Sequence, residues 1–478
     1  MDIQQFAKYQ HASVRNELLH NLCLGKSCML LGFPGSGKTV MTADIIKTLI
    51  LDCKKKVAIT GSTGSAAQQI KSLLPDMDIR VQTVHSFFGF QKKESFLIEQ
   101  GQMEEFEKHA RQRSRNHWMR EVRNRILECD ILIVDEISML TSEFITAIDI
   151  TSKLSRGCFS KKFGGLTLCL IGDFRQLPPV SKSRHTYLFQ DPKYQGDNWI
   201  DVTFSLEFIL RQNLDYSETI LRLSHNLLSE DDKMKFAAQV VPDGKNKIMD
   251  VDFLPEALRV FHTNNEVNRY NDMVTHRAIE EGSRHVALQV KWHIPNGTHC
   301  KLEELQLDRD KVHSAKLFVG AQVIITSNLD IGQGIVNGTT GRVIDIEDKN
   351  TRELCAFGGS ELSQYVTLQL DNGSRVKIGS HCLSKEIDGD KELRAVKVWY
   401  MPLLLSHAIT VHRLQGSTIK RQLFYMPKAI GRFCREFYVI TTRVTSLDLL
   451  HLTHLPHNLN HVMDPVVIEF YLELFRNK

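Results

Sequence analysis

The segment SCMLLGFPGSGKT, Ser27 to Thr39, constrains this chain more than any other. Met29 to Leu31 form a short apolar run of the kind buried in a parallel sheet. Gly32, Gly37, Lys38 and Thr39 follow at phosphate-loop spacing, and Val40, Ile45, Ile46 and Leu49 then recur with helical periodicity. Strand, glycine-rich turn and helix in that order are the setting in which such a loop works. Gly35 and Gly37 let backbone N–H groups wrap an anion at a helix N-terminus, with Pro34 and Ser36 completing the loop. Lys38 then suits the β- and γ-phosphates, and the Thr39 hydroxyl suits Mg²⁺. A glycine turn with no ligand is the competing reading, and the flanking strand and helix argue against it.

Two more strand ends carry chemistry. ILIVDEISML, Ile131 to Leu140, is an apolar strand that presents Asp135 and Glu136 at its C-terminal end, where open α/β sheets place their ligands. Asp135 suits the metal and Glu136 can polarise a water. LTLCLIGD, Leu166 to Asp173, leads into FRQLPPV, and Gln176 there can bond a γ-phosphate while it is present.

Composition widens the frame without overturning it. The chain has 478 residues, 42% hydrophobic and 24% charged, which excludes disordered and low-complexity classes and leaves room for about three domains. Sixty Lys+Arg against 56 Asp+Glu leave a formal charge of +4, so the placement of charge must decide about nucleic acid. The ten cysteines form no CxxC pair and no zinc spacing, and read as reduced core residues. No run is long enough for a membrane span, so an intracellular soluble protein is expected.

The remaining motifs identify a family resemblance. VAITGSTGSAAQQI, TVHSFFGF, VDEISML, FGGLTLCLIGDFRQLPPVSK, LRQN, HAITVHRLQGST and YVITTRVTSLDLLHL appear in the order found in the petite-integration-frequency (PIF) DNA helicases, in the 5′-to-3′ branch of superfamily one. The likeness runs from about residue 25 to residue 452. It implies an α/β fold of two RecA-like motor domains. The first spans 1–204 with a basic helical or hairpin insertion at about 89–128, and the second spans 205–478 with a small SH3-like β-barrel at about 316–400.

By the same resemblance, Gly32, Pro34, Gly35, Ser36, Gly37, Lys38 and Thr39 bind ATP, and Thr39 and Asp135 hold Mg²⁺. Lys38, Glu136 and Gln176 act in hydrolysis, joined by Arg211 and Arg443 as arginine fingers from the second motor domain. Gln415 and Gly416 couple ATP to DNA. Gln10 is the adenine reader, with Gln4 and Gln5 as competitors. The departures are Arg413 where the family usually has Lys, and TTRVT where it commonly has LSRAT.

Ser62, Thr63, Thr83, His85, Ser86, Thr410 and His412 are the expected DNA contacts, and Phe87 or Phe88 could stack on a base. Lys108, Arg111, Arg113, Arg115, Arg120, Arg123 and Arg125 surround the stripe Met119, Val122 and Ile126, which suggests a basic arm on the DNA path. The tail PVVIEFYLELF reads as an amphipathic helix on the core. The resemblance thus implies an ATP- and Mg²⁺-dependent 5′-to-3′ DNA helicase serving replication, repair or recombination. It would be a monomeric motor acting on single-stranded DNA and forked or tailed duplex, nuclear or cytoplasmic according to host. The alternatives are a non-translocating P-loop ATPase and a helicase-fold DNA-binding scaffold.

Overall fold

The computed structural model describes residues 3–476 apart from 63, 115–118, 180–186, 196–198, 289, 294–315, 328, 331–332, 334, 336–337, 349–363, 388–393 and 429–432. By internal contacts the chain forms two compact units. One is Met1–Pro242 with Leu414–Lys420 and Pro427–Lys478, and the other is Asp243–Arg413 with Arg421–Met426.

The first unit is built on six strands: β1 Cys28–Gly32, β2 Val57–Gly61, β3 Arg80–Thr83, β4 Ile131–Asp135, β5 Thr167–Gly172 and β6 Val202–Leu206. Their order is β3-β2-β4-β5-β1-β6, and every neighbouring pair is parallel. This is the RecA-like α/β core. β1, β4 and β5 are buried along their whole length, as strands covered by helices on both faces must be. Helices α1 Ile3–Cys23, α2 Lys38–Leu51 and α3 Gly64–Lys71 cover one side, where Leu18, Ile45, Leu49 and Ile70 pack with Ile59, Ile133 and Ile171. The parallel arrangement brings the ends of β1, β4 and β5 to one edge, so the glycine turn, Asp135 and Asp173 become neighbours although the sequence scatters them.

The expected boundary after residue 204 falls within β6, which pairs with β1 from Val202 to Leu206. The contacts instead divide the chain after Pro242 and bring the C-terminal segment back to the first unit. Hydrogen bonds explain that return. Tyr216 Oη donates to Thr441 O at 2.8 Å, Asn226 Nδ2 to Met463 O at 2.8 Å, and Tyr187 Oη to Asp464 at 2.8 Å. The C-terminal helix Pro465–Arg476 packs on the core as its pattern predicts, with Val467 and Tyr471 fully buried.

After α4 Val84–Phe88, the expected insertion folds as helices α5 Lys92–Glu99, α6 Met103–Arg113 and α7 Arg120–Glu128, and α8 Ser142–Arg156 follows β4. Met119, Val122 and Ile126 are buried as their spacing predicts. The surrounding cations differ from a free basic arm, because several are taken up by contacts within the insertion and with the helices packed beside it. Arg113 is buried against Glu94, and Arg125 donates to the carbonyls of Phe87 at 2.8 Å and Ser86 at 2.7 Å. Arg123 donates to Ser155 O at 3.2 Å, and Arg111 pairs with Glu107. Lys108 and Arg120 stay exposed, and Arg115 lies outside the described residues.

In the second unit, strand Leu258–Phe261 lies between the parallel strands Ala408–Thr410 and Leu423–Tyr425. An antiparallel sheet joins Arg375–Ile378, Gln364–Leu370, Thr340–Asp348, Gln322–Ile325 and Leu403–Leu405 in that order. Val323, Ile325, Val366, Leu368 and Ile378 form its core. The Asp-Asn-Gly turn between two of these strands works because Gly373 takes φ +87°, open to glycine without strain. The sheet's last strand lies beyond residue 400, the expected end of the insertion. Among the described residues no helix is long and apolar enough to cross a membrane.

Candidate active site

A cavity of about 640 Å³ opens in the first unit where β1, β4 and β5 end. Its floor is the glycine loop. Gly35 and Gly37 take φ +79° and +88°, which curls the loop backbone ahead of α2. A Cβ on Gly35 would lie 2.5 Å from Arg211 Cβ, and Leu210 N donates to Gly35 O at 2.9 Å, so the 210–211 segment clasps the loop from outside. Among the described residues the buried Ser36 hydroxyl has no hydrogen-bond partner. An unpaired donor in a cradle of positive-φ glycines fits a phosphate.

Lys38 Nζ donates to Gly32 O at 2.7 Å and Phe33 O at 2.8 Å. Burial pushes its pKa down, and the carboxylates of Asp173, Glu136 and Asp135 oppose that shift. Asp135 accepts from Glu136 N at 2.8 Å, and burial followed by the Glu136 charge pushes its pKa up to about 7. A buried carboxylate so reluctant to ionise, with the Thr39 hydroxyl in the same cavity, is a donor set that suits a hard divalent cation.

Glu136 stands at φ +56°, a left-handed conformation that costs a non-glycine residue about 1–2 kcal/mol. Its carboxylate accepts from Gln415 Nε2 at 3.3 Å, and the same amide donates to Ser138 Oγ at 3.0 Å. Gly416 takes φ +82°, and a Cβ there would approach Glu136 Oε1 to 3.2 Å. Gln69 Nε2 donates to Gly416 O at 2.9 Å and closes this corner.

Opposite lie the arginines. Arg443, 2% exposed, donates to Gln176 Oε1 at 3.2 Å. Arg211 Nη1 donates to Thr442 O at 3.3 Å. Burial and then the Arg443 charge push the Arg211 pKa down to about 10, and burial lowers that of Arg443. Two desolvated guanidiniums and a desolvated ammonium around one cavity are stabilised together by a polyanion such as a triphosphate. Both arginines belong to the same compact unit as Lys38, in contrast to the expected delivery from a separate second body.

The expected adenine reader, Gln10, is not among the cavity's lining residues, and its Oε1 is buried with no hydrogen-bond partner among the described residues. Its neighbours His11, Ala12 and Arg15 do line the cavity. Arg15 reaches Asp44 at 2.6 Å and Thr48 at 2.8 Å, which fastens α1 to α2. These residues carry no motif. Only the packing of α1 against the loop brings them there.

The expected DNA residues are placed unevenly. Ser62 N donates to Asp135 O at 3.2 Å, and Thr83 caps α4 by accepting from Ser86 N at 3.2 Å. Ser86 Oγ donates to Gln82 at 3.3 Å. His85 packs at 4.6 Å on Phe144, and burial lowers its pKa. Thr63 lies outside the described residues. Thr410 and His412 sit in the second unit, the first buried and the second exposed. Phe87 and Phe88 are wholly buried, so neither offers a stacking face; they fill the core beneath α4.

Comparison with known proteins agrees with this architecture. Residues 12–226 match the family described as PIF1-like helicase. The ATP-dependent DNA helicase PIF1 of Xenopus laevis is 25% identical over 96% of this chain, and the chain spans 64% of that relative's length. The crystal structure of Pif1 helicase from Candida albicans superposes with TM-score 0.70 at 25% identity, covering 97% of this chain and 99% of that one. A Bacteroides Pif1 crystallised with ADP-AlF3 and single-stranded DNA gives TM-score 0.65 at 19% identity, covering 95% and 94%. With the motif series and the loop geometry, these likenesses place residues 12–226 in the PIF1-like helicase family.

Proposed function

We propose that this chain is an ATP- and Mg²⁺-dependent DNA helicase that translocates 5′-to-3′ on single-stranded DNA and opens forked or tailed duplex. The observation that carries the reading is the Arg443–Gln176 contact at 3.2 Å beside the glycine loop, a guanidinium tied to a neutral phosphate-sensing amide. Lys38 would exchange its loop carbonyls for β- and γ-phosphate oxygens. Mg²⁺, held by Thr39 and Asp135, would neutralise phosphate charge. Glu136, fixed by its backbone and by Gln415, would orient the attacking water and accept its proton. Arg211 and Arg443 would stabilise the charge that develops in phosphoryl transfer, an effect worth about 10³–10⁵ in rate.

Coupling to DNA runs through Gln415 and Gly416 in this reading, because they abut Glu136. Ser62, Thr63, Thr83, Ser86, Thr410 and His412 are the proposed contacts with the strand, and two RecA-like motor domains are the proposed machinery. The relatives named PIF1 are called ATP-dependent DNA helicases, and the Bacteroides protein holds a nucleotide analogue and single-stranded DNA, which supports the substrate class. The test is unwinding of two partial duplexes, one with a 5′ and one with a 3′ single-stranded tail, with and without ATP. Opening of the 5′-tailed substrate alone is expected. Opening from the 3′ tail alone overturns the polarity. ATP hydrolysis indifferent to DNA favours a non-translocating ATPase, and DNA binding without hydrolysis favours a scaffold.

A further inference from the structure

We infer that Tyr471, on the C-terminal helix, is a positioning residue for the nucleotide site, acting through Asp173. The inference rests on the ATPase reading above and extends it to a residue far from every motif.

Asp173 follows β5 directly and is fully buried. Its carboxylate is the meeting point of three separate parts of the fold. Tyr471 Oη donates to Oδ1 at 2.9 Å, and Tyr438 Oη donates to Oδ2 at 3.0 Å. Arg175 reaches Oδ1 through its backbone N at 3.1 Å and through Nη1 at 3.2 Å. The Tyr471 hydroxyl also accepts from Phe174 N at 3.1 Å, so a single oxygen pins both the carboxylate and the backbone beside it. Burial, reinforced by the Asp173 charge, holds both phenols far above their ordinary pKa, so each remains a donor.

The same group controls the loop. The Arg175 guanidinium is held between two rings, 4.0 Å from the centre of Phe33 and 3.4 Å from that of Tyr471. Phe33 belongs to the glycine loop, and its carbonyl receives Lys38 Nζ. On the other side, Gln176 N donates to Asp173 O at 3.1 Å, and the Gln176 side chain meets Arg443, which ends the helix carrying Tyr438. Asp173, through its carboxylate and its main-chain carbonyl, therefore ties three things together: the turn that aims Gln176, the helix that aims Arg443, and the ring stack behind Lys38.

Removing the Tyr471 hydroxyl leaves the Phe174 N–H without an acceptor in a dry interior and takes one of three donors from Asp173 Oδ1, so the 173–176 turn must relax to compensate. A small misplacement of groups that act only in the transition state lowers kcat more than it changes substrate binding.

The test compares Tyr471→Phe, which keeps the ring over Arg175 and deletes only the oxygen, with Val467→Ala, which weakens the same helix's packing and keeps the hydroxyl. Steady-state ATP hydrolysis of the full chain is measured with oligothymidylate, well below both melting temperatures. Tyr471→Phe is expected to lose about ten-fold in kcat with KM for ATP changed less than about two-fold, while Val467→Ala keeps wild-type kcat. Unchanged kcat in Tyr471→Phe, or an equal loss in Val467→Ala, overturns the inference and leaves the ATPase reading intact. A wild-type chain that hydrolyses no ATP takes down that reading and this inference with it.

Discussion

Arg443 donates to Gln176 across 267 residues of sequence, at 3.2 Å, inside a site from which both are almost wholly excluded from solvent. Neither residue can act alone in the proposed chemistry. In that proposal the amide senses the phosphate, and the guanidinium meets the charge that appears when the phosphate leaves.

Arg443→Ala should therefore lower ATP turnover by about 10³-fold or more, with nucleotide binding much less affected. Arg443→Lys should recover little of it, because an ammonium cannot reproduce the planar fork that spans Gln176, Thr442 Oγ1 and the phosphate. Turnover and fluorescent-nucleotide titration on the same samples separate the two effects.

Glu136→Gln should cut turnover by about 10²–10⁴-fold while nucleotide and DNA binding persist, since the amide keeps the shape and loses the base. Gly416→Ala should mimic part of that loss. Its new methyl meets Glu136 Oε1 at 3.2 Å from a backbone conformation that alanine resists. Equal turnover in Gly416→Ala and wild type would refute the proposed link between Gly416 and the base.

Gly35→Ala should abolish nucleotide binding and not merely weaken it. The added carbon falls 2.5 Å from Arg211 Cβ, at φ +79°, so either the loop or the 210–211 clasp must open. Equilibrium nucleotide titration, with circular dichroism to confirm the fold, reads this directly.

Away from the site, Asp232 offers a test of stability alone. It is buried, accepts from Arg222 Nε at 2.7 Å and Thr219 Oγ1 at 2.9 Å, and closes a capping box with Ser229. Asp232→Ala should cost about 2–3 kcal/mol in chemical denaturation without changing kcat. Arg222 first, then the hydroxyl and backbone of Ser229, hold the Asp232 pKa well below its ordinary value. A depressed acid stabilises the fold at pH above the unfolded carboxylate's ~3.9, and that contribution fades as pH falls through the folded value. The gap in stability between wild type and Asp232→Ala should thus narrow below about pH 4 and stay constant between pH 6 and 8.

Much of the site is legible in the linear sequence. The phosphate loop, the DE pair after β4 and Gln176 after β5 sit at strand ends that hydrophobic patterning alone locates, and a parallel sheet must bring such ends together. The buried stripe Met119, Val122 and Ile126 and the amphipathic C-terminal helix were readable for the same reason, since periodicity is a local property. The arginines around that stripe were not. A basic residue looks the same in sequence whether it faces solvent or, like Arg113 and Arg125, closes a carboxylate or a carbonyl. Phe87 and Phe88 show the converse, because an aromatic pair beside a proposed DNA path has no local sign that both rings lie beneath a helix.

The sequence by itself determined the α/β class, the glycine loop and the acids at the end of β4, because these depend on hydrophobic patterning and short-range geometry. Only the tertiary structure decided that the C-terminal segment returns to the first unit, that His11 and Arg15 line the cavity where Gln10 does not, and that Asp173 gathers Tyr438, Tyr471 and Arg175. Those are contacts between residues up to 298 positions apart, made because a buried carboxylate must find donors wherever the packed chain supplies them.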